Sequence, residues 1–219
     1  MFLAVVPAYN EGKTIGSVIR SLFSQVDKVV VVDDGSTDAT MRLAQEASAV
    51  VLHHSLNRGQ GAALQTGHEY ALKIGADYVL DFDADGQFSA VDIAPALAEL
   101  KKQNVDILFG SRFLDVSSQL PWTKKYLLLP WARFFQRLFW GVKLSDVHNG
   151  FRLYRASALT KIHITQDRMA HATEIVLQAH QAGLKIIEFP VKVVYHEYGQ
   201  GEGGGWAIIK DLFTGKFLR

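Results

Sequence analysis

The sequence predicts an α/β chain: a mostly parallel sheet covered by helices on both faces. Three observations predict it. Short apolar runs alternate with segments of helical spacing through the first half of the chain. Those runs are apolar throughout, as strands buried on two faces require. A cluster of polar residues and glycines follows nearly every run, as expected where strands end along one edge of such a sheet.

In order, Phe2 to Val6 is the first strand, and Pro7-Ala8-Tyr9-Asn10-Glu11-Gly12 breaks it. Thr14 to Phe23 is a helix, with Ile15, Val18, Ile19 and Leu22 on one face. Lys28 to Val32 is the second strand, ended by Asp33-Asp34-Gly35-Ser36-Thr37-Asp38. Ser36 or Thr37 is placed to cap the helix that runs through Leu43 to Ala47, and Asp38 reads as part of the same capping turn. Ala49 to Leu52 is the third strand, and Asn57-Arg58-Gly59-Gln60-Gly61 leads into a helix from Ala62 to Ile74. The fourth strand starts at Tyr78. Val91 to Lys101 is a helix, and Val105 to Phe109 a fifth strand ending in Gly110-Ser111-Arg112.

The 219 residues suffice for one such domain with a sizeable core. A formal net charge of +1 gives no electrostatic reason to expect a nucleic-acid partner. There is no cysteine, hence no disulfide framework and no thiolate metal site, which fits a reducing cytosol. The N-terminus shows no basic leader, and no apolar run approaches the roughly 18 to 20 residues of a membrane-spanning helix.

The fourth strand ends in Asp81-Phe82-Asp83-Ala84-Asp85-Gly86-Gln87. In an extended chain the three carboxylates point one way and repel one another. A hard divalent cation, its shell completed by substrate phosphates, answers that repulsion; a solvated acidic turn is the plainer reading. Asn10/Glu11, Asp33/Asp34, Arg58/Gly59 and Asp83/Asp85 each follow a strand, so four patches converge on one sheet edge. That convergence points to a nucleotide-type ligand with a metal. Asp33 and Asp34 suit a base and a ribose, or a helix-capping turn. Arg58 suits a phosphate, with Gly59 and Gly61 letting backbone approach, or the segment is an ordinary glycine-rich turn. Tyr9 stacks on a base or is a half-buried aromatic.

Gly12-Lys13-Thr14 imitates the end of a P-loop, but that pattern needs glycine where Pro7 stands, and proline offers no N–H to a phosphate. No G-x-G-x-x-G follows the first strand, which argues against a hydride-transferring dinucleotide enzyme.

Val6-Pro7-Ala8-Tyr9-Asn10-Glu11, Val32-Asp33-Asp34-Gly35-Ser36-Thr37-Asp38 and Asp83-Ala84-Asp85-Gly86-Gln87 resemble the inverting family 2 glycosyltransferases of GT-A fold. Gly110-Ser111-Arg112 and Asn149-Gly150-Phe151-Arg152-Leu153-Tyr154-Arg155 resemble the dolichol-phosphate mannose synthase and polyprenyl-phosphate branch. The resemblance implies a single Rossmann-like GT-A domain over 1–198, with a nucleotide-sugar half (1–112) and an acceptor half (113–198). A glycine-rich hinge and amphipathic tail (199–219) follow. It implies that Pro7, Ala8, Tyr9, Asn10, Glu11, Asp33, Asp34, Arg58, Gly59, Asp83 and Ala84 line the nucleotide-sugar site. Asp83 and Asp85 would be the DxD pair on Mg2+ or Mn2+, with Gln87 as a third metal contact. Asp85, Arg112 near an acceptor phosphate, and Glu174 on a helix facing the site would serve catalysis. Where the mannose synthases carry an arginine before the last glycine-rich stretch, this chain has Val194-Tyr195-His196. No Q-x-x-R-W motif is present, which argues against processive polymer synthesis.

From Val116 to Ser145 there is no Asp or Glu, but Lys124, Lys125, Arg133, Arg137 and Lys143 are there. After Pro130, Trp131, Phe134, Phe135 and Leu138 share one helical face. A basic amphipathic helix of this kind lies in an anionic membrane interface, or docks on the sheet with a solvated face. Trp206 to Arg219 repeats the choice between interfacial anchor and packed tail. The expected partners are a UDP- or GDP-sugar donor and a polyprenyl phosphate at the inner membrane face, with a separate membrane protein possible as anchor. If the acceptor is a hydroxyl, it needs a base, for which Glu174, Asp146 and His148 are candidates. A non-catalytic nucleotide-sugar-binding subunit is the reading of another class.

Overall fold

The computed structural model describes residues 1–114 and 144–193. The basic stretch read from Val116 to Ser145 falls almost wholly outside them, as do Val194-Tyr195-His196 and the 199–219 tail. The elements are β1 (Phe2–Ala8), α1 (Ile15–Leu22), β2 (Lys28–Asp33), α2 (Thr40–Glu46), β3 (Val50–His53), α3 (Gln60–Lys73) and β4 (Tyr78–Asp81). A 3-10 turn (Ala90–Asp92) leads into α4 (Ile93–Lys102), followed by β5 (Ile107–Ser111), β6 (Arg152–Arg155), α5 (Ala156–Leu159), α6 (His171–Gln181) and β7 (Ile186–Pro190).

The sheet has seven strands in the order β3-β2-β1-β4-β6-β5-β7. All neighbours are parallel except β6, which runs antiparallel to both β4 and β5. The cause is connectivity. The chain leaves β5 at the carboxyl edge and re-enters as β6 from that edge, so Asp146 to Phe151 sit beside the loops after β1, β2 and β4.

Side chains alternate across the pleat, and each strand feeds two cores. Ala4, Val6, Val29, Val31 and Leu80 pack on one face with Ile15, Ile19, Leu22, Ile93 and Leu100 of α1 and α4. Leu3, Val5, Val30, Val32 and Val79 pack on the other with Leu64, Ile175 and Val176 of α3 and α6. Helix α3 lies so close to β1 that a Cβ on Gly67 would stand 2.2 Å from Cγ1 of buried Val5. Gly67→Ala is expected to cost about 1–3 kcal/mol by overpacking. A thermal melt should show the midpoint falling by about 2–12 °C; an unchanged midpoint would mean that α3 is not docked this closely.

Several boundaries differ from those read in the sequence. β1 continues through Pro7 and Ala8 instead of breaking. Val5 O accepts the Phe82 amide (3.0 Å) and Ala8 O accepts the Asp34 amide (2.8 Å), on opposite sides of β1. By alternation Pro7 turns its nitrogen toward β4, beyond the last β4 pair at Val5↔Asp81, so its missing N–H breaks no ladder. Neither Ser36 nor Thr37 caps α2. Asp38 Oδ1 accepts the Thr40 amide at 2.9 Å, while Ser36 Oγ and the Thr37 amide are bonded to Asn10. β5 starts two residues late because the Val105 amide still closes the end of α4 on Leu100 O.

Candidate active site

A cavity of about 390 Å³ opens at the carboxyl edge of β1, β2 and β4. Pro7, Ala8, Tyr9 and Glu11 line it from the end of β1, Asp34 from β2, and Asp83, Ala84 and Asp85 from β4. Asn57, Gly59, Gln60 and Ala63 enter at the start of α3. His148, Gly150 and Arg152 come from the entry to β6, and Met169, His171 and Ala172 from the start of α6. Nine of the residues expected to meet the ligand or metal, from four separate loops, therefore share one cavity.

Asp34 is held rigidly. Its Oδ1 accepts His54 Nδ1–H (2.7 Å) and the Arg58 amide (3.1 Å), and Oδ2 accepts the Gly59 amide (2.6 Å). Asp33 is fully buried behind it, bonded to His53 at 2.8 Å, and does not line the cavity. Asn10, at φ 57°, ties the β1 turn to Ser36 and Thr37 and also stays out of the lining. Tyr9 remains 46% exposed, at the cavity wall. Burial pushes the Glu11 carboxyl above its usual range; a hydrogen bond from Thr14 opposes this and the nearby Asp85 charge adds to it.

Arg58 points to Asp167 (3.2 Å) and is not part of the lining. The glycines beside it serve a closure different from the one expected. A Cβ on Gly59 would stand 2.4 Å from Asp167 O, and one on Gly61 2.0 Å from Gln166 O. They let the 166–168 loop close over the N-terminus of α3, where Asp167 O accepts the Gly61 amide at 2.8 Å.

The three carboxylates at the end of β4 do not act together. Asp81 is the last residue of the strand; it turns toward α3 and is bonded to His68 Nε2 (2.7 Å) and Tyr154 OH (3.0 Å). The alternation stops there, and only Asp83 and Asp85 face the cavity. Their turn is fixed from below, because Phe82 and Phe88 both pack on Phe151 at 6.3 and 6.2 Å between ring centroids. Asp83 Oδ1 accepts Gln60 Nε2–H at 2.8 Å, and Asp85 Oδ1 accepts the Gln87 amide at 2.9 Å. The Gln87 side chain lies outside the lining. Burial, and then the charge of Asp85, push Asp83 up to about 6.

Among the described residues no three His, Asp or Glu groups converge into a ready-made metal centre. The donor set nonetheless fits a hard divalent cation. Asp83 and Asp85, from the turn after β4, face one cavity, and Asp83 is disfavoured as an anion by burial and by its neighbour. A cation shared with phosphate oxygens removes that penalty.

Arg112 also lies outside the lining. Asp146 holds it through two parallel bonds, Nε to Oδ2 and Nη2 to Oδ1, both 2.8 Å. Burial raises the Asp146 carboxyl, but the bonds and charge of Arg112 outweigh it, and its pKa ends below the usual range. That carboxylate is committed to the arginine. Glu174, expected to face the site, is likewise occupied elsewhere. Its Oε2 accepts the amides of Thr165 (3.0 Å) and Gln166 (2.9 Å), and its Oε1 the Thr165 hydroxyl (2.5 Å). It clamps the loop that packs on α3, outside the cavity lining. Of the three candidate bases, only His148 lines the cavity; burial, and then Arg152, hold its pKa below the usual value.

Comparison with known proteins decides the family. The Glycosyl transferase family 2 profile matches residues 3–163. This chain belongs to glycosyl transferase family 2. A relative in that family is the UDP-N-acetylglucosamine–dolichyl-phosphate N-acetylglucosaminyltransferase of Methanococcus voltae, 30% identical over 95% of this chain and 92% of that one. Another is the undecaprenyl-phosphate mannosyltransferase of Micrococcus luteus, 29% identical over 94% of this chain and 88% of that one. Among solved structures, glucosyl-3-phosphoglycerate synthase of Mycobacterium tuberculosis, in complex with Mn2+ and uridine-diphosphate-glucose, superposes with a TM-score of 0.73 at 18% identity. That likeness covers 97% of this chain and 76% of the other, and it establishes the GT-A-like fold that the motifs implied.

Gln60, Arg152 and His171 are among the wall residues to which the sequence assigned no role. Gln60 was read as part of a turn, although it opens α3 against Asp83. Arg152 stood inside the Asn149 to Arg155 motif with no role of its own, and His171 in no motif at all. Its position three residues before Glu174 at a helix start was the only available signal.

Proposed function

We propose that this family 2 enzyme transfers a sugar, with inversion, from a nucleoside-diphosphate sugar to a polyprenyl phosphate at the cytoplasmic face of a membrane. The observation that carries the donor half is the single cavity shared by Asp34, Asp83 and Asp85. The acceptor half rests on the relatives, which are named for transfer to dolichyl and undecaprenyl phosphate. No described helix is long and apolar enough to cross a membrane. Contact with the lipid is assigned to the acid-free stretch from Val116 to Ser145.

In this reading the nucleoside lies against Tyr9, Glu11 and Asp34. Asp83 and Asp85 would hold Mg2+ or Mn2+, with Gln87 beside them, and the ion would supply charge neutralisation for the departing diphosphate. The bond from the anomeric carbon to the diphosphate breaks as an acceptor phosphate oxygen attacks from the opposite face. That oxygen is already anionic near neutral pH, so the step needs no base. Arg112, oriented by Asp146, stands at the end of β5, where the chain enters the basic stretch, and meets the acceptor phosphate.

His148 favours a second reading, transfer to a hydroxyl. It is the one candidate base in the cavity, and it stays neutral at physiological pH. Transfer of labelled sugar into an organic-soluble product separates the two. With a short polyprenyl phosphate the product should form, and with the matching polyprenol it should not. Equal transfer to the polyprenol would overturn the lipid-phosphate reading.

A further inference from the structure

The edge strand β7 carries a carboxylate that the mechanism above leaves unused. Glu188 pairs with Phe109 in the parallel β5–β7 ladder, two residues before Ser111, so alternation puts Glu188 and Ser111 on one face of the sheet. One oxygen of Glu188, Oε1, accepts the Ser145 amide (2.6 Å), the Ser145 hydroxyl (2.6 Å) and the Asp146 amide (3.3 Å). Three donors on one oxygen is an arrangement that an anion satisfies better than an amide oxygen does. A carboxylate only accepts, so the Ser145 hydroxyl hydrogen is turned toward Glu188. Ser145 Oγ, 2.6 Å from Ser111 Oγ, then accepts the Ser111 hydroxyl, and Ser111 Oγ accepts the Phe113 amide at 3.2 Å. A directed chain of bonds thus runs from Phe113 through Ser111 and Ser145 to Glu188.

That chain ties together the two places where the acid-free basic stretch leaves and rejoins the sheet. The chain departs from β5 through Ser111, Arg112 and Phe113, and it returns through Ser145 and Asp146. Asp146 is the residue that holds Arg112. Besides its two bonds to the guanidinium, its Oδ2 accepts the Arg112 amide and Asn149 Nδ2–H, both at 3.1 Å. Asp146 is 4% exposed, whereas the Arg112 side chain keeps 27% of its surface accessible. The arginine is therefore fixed along one edge by a buried carboxylate and still reachable from outside. The backbone that carries this carboxylate is in turn fixed by Glu188, and a displacement of about 1 Å at such a group is enough to spoil its alignment with a substrate.

We propose that Glu188 is a positioning residue for the acceptor phosphate: by fixing the 145–146 backbone it sets where Asp146 holds the Arg112 guanidinium. The proposal rests on the polyprenyl-phosphate reading and deepens it, because it assigns control of the acceptor arginine to the outer strand of the sheet, away from the nucleotide cavity.

The test is a double-mutant cycle read in the acceptor. Wild type, Glu188→Ala, Glu188→Gln, Arg112→Ala and the Glu188→Ala/Arg112→Ala double variant are assayed with Mn2+, the donor that wild type turns over and a short polyprenyl phosphate. Calorimetry gives Kd for UDP and GDP, and thermal melts confirm that each variant folds. Glu188→Ala should raise KM for the polyprenyl phosphate about tenfold, the low end of what a charged hydrogen bond is worth, and leave nucleotide Kd within twofold. Glu188→Gln keeps an oxygen for the Ser145 amide and should recover part of the loss. Once Arg112 is alanine, the Glu188→Ala substitution should change acceptor KM less than twofold, because its effect runs through that arginine. A lowered melting midpoint with acceptor KM unchanged would overturn the proposal, leaving Glu188 a purely structural tie. Equal weakening of nucleotide and acceptor would overturn it too, and so would effects of the two substitutions that simply multiply. A wild type that turns over no polyprenyl phosphate overturns the acceptor reading and this role with it, an outcome distinct from normal turnover with an unaltered KM in Glu188→Ala.

Discussion

Asp83→Asn should cut sugar transfer on the order of 10³-fold and, in the absence of divalent cations, make the protein more stable. The loss of turnover follows from removing one of the two carboxylates that the turn after β4 presents to the cavity. The gain in stability follows from linkage. The carboxyl of Asp83 is pushed up to about 6 in the folded chain, against an ordinary value of 3.8. The folded state therefore holds its proton more tightly than the unfolded state. Stability from this group is highest in acid, falls as pH rises between those two values, and stays at its lowest above about 6. Asparagine has no such penalty, and it retains an oxygen for Gln60 Nε2–H. After allowing for water in the open cavity, the relief at neutral pH is about 1–2 kcal/mol. Melts at pH 7.5 with chelator should show the variant about 2–8 °C above wild type, converging as pH falls toward about 4. Mn2+ with a nucleoside diphosphate should raise the wild-type midpoint and leave the variant nearly unmoved. A variant less stable than wild type at neutral pH would contradict the electrostatic account of the site.

Gly150→Ala should damage the same centre without touching a carboxylate. A Cβ there would stand 1.9 Å from Asp83 Oδ2 and 2.3 Å from its Cγ. The aspartate must swing away, breaking its bond to Gln60 at 2.8 Å. The collision is with a side chain at a cavity wall rather than with the core, so folding should survive with a midpoint change of a few degrees. Turnover should fall about 10²- to 10³-fold, and the Mn2+ concentration for half-maximal rate should rise. Full activity in this variant would show that Asp83 need not occupy its observed position.

The legible parts of the fold were the local ones. β1 to β5 and α1 to α4 could be read because apolar runs and helical spacing are contained in short windows. β6 and β7 could not, because β6 is defined by insertion between β4 and β5. The Asp81↔Arg152 pairing and the bond from Tyr154 to Asp81, 73 residues apart in sequence, are invisible to periodicity. The same cause explains the errors at the site. The alternation of Asp81, Asp83 and Asp85 was sound reasoning for a strand, but the strand ends at Asp81 and the turn redirects the other two. Asp34, Asp83 and Asp85 were found because motif and strand end coincide. Arg152 and His171 were missed because a buried arginine in a strand and a histidine opening a helix acquire meaning only when β6 and α6 meet at the cavity.

The most direct test of the central claim is release of nucleoside diphosphate from a panel of UDP- and GDP-sugars, with a short polyprenyl phosphate present. Wild type and Asp85→Ala would be run side by side with Mg2+ or Mn2+ and again with chelator. The account predicts release from one donor that needs the cation and the lipid phosphate and is lost in Asp85→Ala. Release that persists in chelator, or that Asp85→Ala supports at the wild-type rate, would contradict it.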